Sequence, residues 1–347
     1  MTADPQISSL LELSARVGVN PLLVQASTGN TSVKTDGILW VKASGKWLAH
    51  AGRREILVPV DLEQTRWQVL HGKDPAGQCQ IVGGRTLTTS VETAMHAVLP
   101  HPVVVHVHSL NTLAWAVRLD APELLAERLQ GLRWRWISYV ESGLPLARAI
   151  LSTVEVAPDT DVFVLGNHGL VVCGENCAAV AQRLDEVETR LARGPRAARA
   201  ADIESLIRLS RGTRWKLPAD ETVHALGTDP TATAFLRGGV IYPCQAIFLG
   251  KAVRSCPRRD WMHANRLSLA EPSMTTPFIV FEDGGLLVSD DITPSAEATL
   301  SGLVQVLIRV EETSRLRFLT DAEVDQLLTE DNYRYRELVE TSSSFAT

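Results

Sequence analysis

The residues with the most chemistry in them are two histidines one position apart, in the run Val-Val-Val-His-Val-His-Ser from Val103 to Ser109. Successive side chains of an extended strand point to opposite faces, so His106 and His108 share one face while Val103, Val105 and Val107 fill the other. Two converging imidazoles suit a divalent cation such as zinc. An ion of that kind, when it does chemistry, takes three protein ligands and keeps a fourth position open. The third ligand is offered by His168 in Asn167-His168-Gly169, where the apolar run Val162 to Leu165 enters a tight turn. Glu92 stands just before the histidine strand and can take or return a proton once burial brings its pKa toward the working pH. A metal with an open position beside such a carboxylate can polarise a carbonyl, so that the neighbouring carbon carries negative charge as an enediolate.

The elements that must position these groups follow from pattern. Asp4 as cap, Pro5 at the first position and Gly18 as terminator frame an opening helix with Ile7, Leu10, Leu11 and Leu13 on its apolar side. Ser27 to Lys34 reads as a small-polar loop between Leu22 to Val24 and the strand Ile38 to Val41. Its hydroxyls, carboxamide and glycine fit a phosphate or polyol oxygen, through Ser27, Gly29 and Asn30. A second glycine turn, Lys42-Ala43-Ser44-Gly45-Lys46, brings two ammonium groups near more hydroxyls, which suits an anionic substrate group. Ile56 to Val60 reads as a strand, Asp61 as the cap of a helix reaching His71, and Lys73 to Gly84 as a loop. The hydroxyls of Thr88-Thr89-Ser90 can cap a helix that begins at Val91 and carries Glu92 and His96 four apart on one face. Taken alone, Glu92 is explained equally well by the helix dipole. Helices follow at Leu110 to Val117, Pro122 to Leu129 and Pro145 to Ser152, with a short strand at Trp134 to Ile137 and a turn carrying Tyr139. Val162 to Leu165 and Leu170 to Cys173 flank His168 as a hairpin, and Cys177 to Leu191 closes the unit with Val180, Leu184, Val187 and Leu191 in one stripe.

At 347 residues the chain is long enough for two domains. The expected division is 1–195 and 202–347, joined through an alanine- and arginine-rich stretch from Ala192 to Ala201. The second part reads as a smaller α+β region. It has a helix near Ile203 to Leu209, strands at Val240 to Tyr242, Ala246 to Leu249, Phe278 to Phe281 and Leu286 to Val288, and helices from Ser295 to Leu316 and Asp321 to Val339. The charged run Glu330 to Arg336 reads as a solvated helix face. A net charge of −6 without a basic stripe argues against nucleic acid. The cysteines at 79, 173, 177, 244 and 256 form no paired framework and read as reduced, mostly buried thiols. Neither a secretory leader nor an apolar run of roughly 18 residues is seen, so a cytoplasmic protein without membrane contact is expected. There is no phosphate loop and no Gly-x-Gly-x-x-Gly fingerprint, which lowers the case for nucleotide enzymes.

Taken together, the Gly29-Asn30-Thr31-Ser32 stretch, Ser44-Gly45, Ser90-Val91-Glu92 with His96, His106-Val107-His108, Tyr139 with Gly143, and Asn167-His168-Gly169-Leu170 resemble the class II aldolase/adducin family. The likeness runs from about Leu10 to Leu191 and is similar in detail to the aldolase half of fused aldolase/short-chain-dehydrogenase proteins. The resemblance implies a three-layer α/β/α fold around a mainly antiparallel sheet, and ring-like homotetramers with sites at subunit interfaces. It also implies His106, His108 and His168 as ligands of a divalent metal, usually zinc, with manganese or cobalt as alternatives. Glu92 becomes the acid/base residue and Tyr139 an acid donated by a neighbouring subunit. A phosphate pocket falls on Ser27, Gly29, Asn30, Ser44, Gly45 and Ser90, with Lys42 and Lys46 adding charge. Val91 stands where the fuculose-phosphate type has a second serine, which removes one phosphate hydroxyl and admits a carboxylate as the anionic group.

The reading is a lyase, a metal-dependent aldolase that cleaves or forms a carbon–carbon bond in a ketose phosphate or related sugar acid. A 4-epimerase and a decarboxylase of 3-keto sugar acid phosphates need the same metal and enediolate. An adducin-like binding protein keeps the fold without catalysis.

Overall fold

The computed structural model describes residues 4–76, 79–83, 87–261, 276–329, 335, 336 and 339. These fall into two units, 4–116 with 120–192, and 117–119 with 193 onward. In the first, the chain runs α1 (Pro5–Gly18), β1 (Asn30–Thr35), β2 (Ile38–Lys42), β3 (Leu57–Asp61), α2 (Leu62–Leu70), α3 (Thr93–Val98) and β4 (Val103–Val107). It continues through α4 (Leu110–Ala116), α5 (Ala121–Arg128), β5 (Trp134–Ile137), α6 (Leu144–Val156), β6 (Val162–Leu165), β7 (Gly169–Gly174) and α7 (Cys177–Leu191). Two helix starts follow the caps read from sequence, with Asp4 accepting from the Gln6 amide and Asp61 from Gln64, and α7 is capped by Asn176, which accepts from Ala179.

Among the described residues of this unit, seven strands form one sheet in the order β3-β2-β1-β4-β7-β6-β5, antiparallel throughout except where β5 meets β6. Alternation puts Val103, Val105 and Val107 of β4, with Val162, Val164, Leu170 and Val172, against α1, α5 and α7 through Leu10, Leu13, Leu125, Val180 and Leu184. The opposite face, with Val104, Phe163, Leu165, Val171 and Cys173, packs on Ala94 and Met95 of α3 and on Leu146 and Ile150 of α6. This is a three-layer α/β/α unit with a mainly antiparallel sheet. Each fully buried aliphatic or aromatic side chain contributes roughly 1.5–3 kcal/mol to holding the layers together.

The stretch Ser27 to Lys34 is not the loop that its polarity suggests. From Asn30 onward it is β1, between β2 and β4, with Asn30 opposite His106. Buried small polar residues occupy this strand because each hydroxyl finds a partner: Thr31 bonds Ser14 Oγ at 2.6 Å, and Ser32 bonds His96 Nδ1 at 2.7 Å. The helix expected from Val91 begins at Thr93 instead, with no side-chain cap, and Ser90 Oγ accepts from the Glu92 amide at 3.3 Å. Of the loop Lys73 to Gly84, Ile81 pairs with Val60 beside β3, while residues 77, 78 and 84 lie outside the described residues. Only Cys173 and Cys244 are buried, and Cys79, Cys177 and Cys256 are partly exposed, so the expectation of mostly buried thiols is corrected.

The second unit contains α8 (Ile203–Ser210), β8 (Trp215–Lys216), α9 (Ala225–Thr228), α10 (Pro230–Gly238), α11 (Pro243–Leu249), β9 (Arg254–Cys256), β10 (Phe278–Phe281), β11 (Gly285–Ser289), α12 (Pro294–Leu307) and α13 (Asp321–Leu327). Its described strands form a sheet in the order β8-β11-β10-β9 over Leu206, Trp215, Trp261, Ile279, Phe281 and Leu287. The strands expected at Val240 to Tyr242 and Ala246 to Leu249 are absent from it. Pro243 starts α11, and the Gln245 side chain reaches back to accept from the Ile241 amide at 2.9 Å, which stabilises a helix start rather than an extended run. The helix expected to reach Leu316 stops at Leu307, where Arg196 donates to the Leu307 carbonyl at 2.9 Å and also to that of Val310. The helix expected over Asp321 to Val339 is described as Asp321–Leu327. Of the charged run, Glu330 to Arg334 lie outside the described residues. Arg336 is buried and donates to the Ile247 and Phe248 carbonyls at 3.3 and 3.2 Å, so it is not on a solvated face. Among the described residues no single helix is long and apolar enough to cross a membrane.

Candidate metal centre

His106 lies near the end of β4 and His108 just past it, on the face opposite Val105 and Val107. His168 is delivered by the turn between β6 and β7, whose register pairs Leu165 with Gly169. The turn has three local requirements. Asn167 adopts φ +53°, a left-handed conformation that asparagine tolerates better than most residues. A Cβ on Gly166 would lie 2.8 Å from the Trp136 ring, and one on Gly169 would lie 2.5 Å from the Val107 carbonyl oxygen. Glycine at those two places lets the turn close down on β4 and β5.

The three imidazole rings then form a near-equilateral triangle, with centroids 4.9, 5.0 and 5.1 Å apart. Glu92 joins them. Its Oε1 lies 3.3 Å from His106 Nε2 and 3.1 Å from His168 Nε2, and the ligand atoms of all four residues lie within 4.8 Å of one another. All four are buried. Those two separations match the ~3.3 Å edge of a tetrahedron with metal–ligand bonds of about 2.0–2.1 Å, so Glu92 Oε1 stands where a fourth ligand would lie beside the histidines. A further observation tests the fit. His106 Nδ1 is 3.0 Å from the Leu170 carbonyl oxygen, an acceptor only, so Nδ1 carries the hydrogen and Nε2 is left with its lone pair aimed into the triangle. That buried nitrogen has no hydrogen-bond partner, and a cation would satisfy it. The residues present fit a divalent metal held by His106, His108 and His168.

Electrostatics agree. Burial lowers the pKa of His108 well below the ordinary imidazole value, and the neighbouring His106 and His168 lower it further. His168 is lowered by burial, with partial compensation from Glu92. Both are therefore uncharged near neutral pH, the form that donates a lone pair. Burial pushes the Glu92 carboxyl upward, but positive charge or N–H groups set opposite it, as on His106 and His168 when they carry protons there, outweigh burial and hold the group well below the usual range, so it is ionised. The turn beyond His108 is fixed by Glu188 of α7. Its carboxylate accepts from Ser109 Oγ and from Asn111 Nδ2, the latter at 3.1 Å.

The three stretches expected to bind an anion are tied to one another. Ser27, Gly29 and Asn30 lead into β1, Ser44 and Gly45 leave β2, and Ser90 precedes α3. Lys42 Nζ donates to the carbonyls of Ser27 at 2.8 Å and Lys46 at 2.7 Å, the Ser44 amide donates to Thr88 at 2.9 Å, and Asn30 Nδ2 donates to Glu92 Oε2 at 2.9 Å. Gly29, at φ +68°, has room for no side chain, since a Cβ there would lie 2.7 Å from the His106 carbonyl oxygen. Lys42 is a buried tie rather than a free ammonium: burial lowers its pKa to about 7, against a smaller raising effect of Glu92. Lys46 is half-buried. Tyr139 stands two residues beyond β5, which pairs Ile137 with Leu165 in parallel register, so it leaves the sheet at the same end as the His168 turn. His96, absent from the site residues read out of the sequence, contacts Asn30 on one side and Ser32 on the other, behind Glu92. The four-residue spacing of Glu92 and His96 was the signal available.

Fold and site together define a class II aldolase-like domain carrying a buried cluster of three histidines and a glutamate. Residues 9–193 match the description Class II Aldolase and Adducin N-terminal domain, and the chain belongs to that family. It is 26% identical over 193 residues to the uncharacterized oxidoreductase YuxG of Bacillus subtilis (strain 168), covering 51% of this chain and 28% of that protein. The chain thus spans little more than a quarter of that curated relative. Among solved structures, the N-terminal class II aldolase domain of a conserved protein from Thermoplasma acidophilum is 23% identical with a TM-score of 0.48, over 55% of this chain and 94% of that one. A sugar-phosphate aldolase from Thermotoga maritima is 15% identical with a TM-score of 0.43, over 54% and 91%.

Proposed function

We propose that the chain is a divalent-metal-dependent aldolase that cleaves or forms a carbon–carbon bond in a ketose phosphate or related sugar acid. The observation that carries this reading is the convergence of His106, His108, His168 and an ionised Glu92 inside a class II aldolase domain. Held by the three histidines, a divalent cation, zinc first and manganese or cobalt next, supplies Lewis acidity to a carbonyl oxygen. Glu92 Oε1 takes or returns the proton at the carbon beside that carbonyl, while Asn30 keeps Oε2 fixed. Ser27, Gly29, Ser44, Gly45 and Ser90 receive the anionic end of the substrate through hydroxyl and amide donors, with Lys46 at their edge and Lys42 holding two of the stretches together. Tyr139 acts as an acid at the site of a neighbouring copy in a homotetramer.

The test is metal content by elemental mass spectrometry on dialysed protein, with His108→Ala alongside, followed by a screen of sugar phosphates for aldehyde release. About one divalent ion per native chain, a large loss in the variant, and aldehyde release support the aldolase. Release of carbon dioxide, or interconversion without cleavage, reassigns the same site to a decarboxylase or a 4-epimerase. A native protein that takes up neither zinc, manganese nor cobalt refutes the catalytic reading in favour of an adducin-like binding role.

A further inference from the structure

Behind the histidine triangle, Glu92 is held by a line of buried hydrogen bonds. Asn30 Nδ2 donates to Glu92 Oε2 at 2.9 Å, Asn30 Oδ1 meets His96 Nε2 at 2.9 Å, and His96 Nδ1 meets Ser32 Oγ at 2.7 Å. Asn30, Ser32, Glu92 and His96 are all buried, so water does not stand in for a missing partner. One placement of hydrogens satisfies every link. An ionised carboxylate only accepts, so the amide nitrogen of Asn30 must face Glu92 and its oxygen must face His96. His96 must then carry its hydrogen on Nε2, which leaves a lone pair on Nδ1 that the Ser32 hydroxyl satisfies. The reverse arrangement sets the Asn30 oxygen against a carboxylate oxygen at hydrogen-bond distance in a dry interior, where repulsion is least screened. Burial, the largest influence on His96, lowers its pKa to about 3, so the ring is neutral as this pattern requires.

We infer that His96 is a positioning residue for Glu92: acting through the Asn30 carboxamide, it determines which carboxylate oxygen is restrained and which faces the metal and substrate. The inference rests on the metal reading above. Its geometric content is that Oε2 is the restrained oxygen and Oε1, at 3.1–3.3 Å from two imidazole nitrogens, is the working one. It also changes the role of Asn30. With its oxygen taken by His96 and one N–H by Glu92, a single N–H is left for a ligand, so Asn30 serves the carboxylate before it serves any substrate.

Two measurements test this. Nitrogen-15 spectra of histidine-labelled, metal-free protein report the tautomer of His96. Competition against a chromophoric chelator gives the zinc affinity of the native protein, His96→Leu and His96→Gln, the last of which restores an amide donor toward Asn30. The expected result is a neutral His96 protonated on Nε2, zinc binding roughly tenfold weaker in His96→Leu, and recovery of most of that loss in His96→Gln. A ring protonated on Nδ1, or His96→Leu binding zinc as the native protein does, overturns the inference. A loss that His96→Gln fails to recover also overturns it, since that pattern is general damage to the fold. Failure of the native protein to bind zinc refutes the metal reading instead, and the tautomer, read without metal, then decides the inference alone.

Discussion

Replacing Gly169 by alanine adds one methyl group where β7 leaves the His168 turn, and the structure sets the size of the effect. The new Cβ would stand 2.5 Å from the Val107 carbonyl oxygen and 3.3 Å from His108 Cα, and both neighbours are backbone. Real contacts of this kind stay beyond 3.0 Å, so β7 or β4 must move by at least the difference, about half an ångström. Metal–ligand distances tolerate only about 0.2 Å. The displaced segment carries His168 on one side and His108 on the other, so the triangle opens. Overpacking of this kind costs about 1–3 kcal/mol; at about 2 kcal/mol, a unit of this size melts about 4–8 °C lower. Zinc affinity should fall at least about tenfold, as it does when groups supporting a metal ligand are disturbed. The control is Gly174→Ala at the far end of the same strand, where the Cβ would meet the Val180 side chain at 3.0 Å. That neighbour can swing aside, and no ligand is near. Calorimetry and chelator competition on both variants read the outcome. Gly169→Ala binding zinc like the native protein, or Gly174→Ala losing as much affinity, would refute the claim that backbone approach at Gly169 shapes the centre.

Glu92→Gln keeps the shape and an acceptor for Asn30 but removes the base. Elemental analysis should find the metal still on the three histidines, held about tenfold more weakly as in His96→Leu, while aldehyde release drops at least about 100-fold; complete loss of metal in that variant would make Glu92 a principal ligand instead. Burial lowers Lys34 and Lys42 from 10.5 to about 7, so between those values the unfolded chain binds protons that the folded chain does not, and stability rises with pH across that window. Denaturant midpoints should therefore increase from about pH 7 to about pH 9, and less steeply in Lys42→Met; a flat or falling profile would rule out this lowering for both lysines.

The convergence of the three histidines was legible in the sequence because strand alternation is a local rule. His106 and His108 share a face wherever the strand lies, and Asn167-His168-Gly169 marks its own turn. β1 was hidden because Asn30, Thr31 and Ser32 are polar, and their burial depends on Ser14, His96 and Glu92, residues 17 to 66 positions away. The same distance effect misled the reading of α12, whose end is capped by Arg196 from more than a hundred residues upstream. Ala246 to Leu249 is a short apolar run for which periodicity cannot separate helix from strand, and the Pro243 start decides it. Arg336 looked like surface because a charged side chain ordinarily is; two carbonyls of α11 bring it inside. Lys42 looked like an anion receptor for the same reason, since sequence shows a charge and not the carbonyls that claim it.

The position of β4 between β1 and β7 also bears on how the protein is made. His106 pairs with Asn30 on one side and with Val171 on the other, so both partners of the ligand strand come from distant parts of the chain. Closing those long loops is the slow, entropically costly part of assembling such a sheet. Until both pairings exist, the chain holds two of the three histidines on an unfinished strand and the third elsewhere. A metal ion held by all three histidines would therefore meet its full set of ligands only after both pairings have formed. Bound there, it would slow the opening of the sheet more than it speeds its formation.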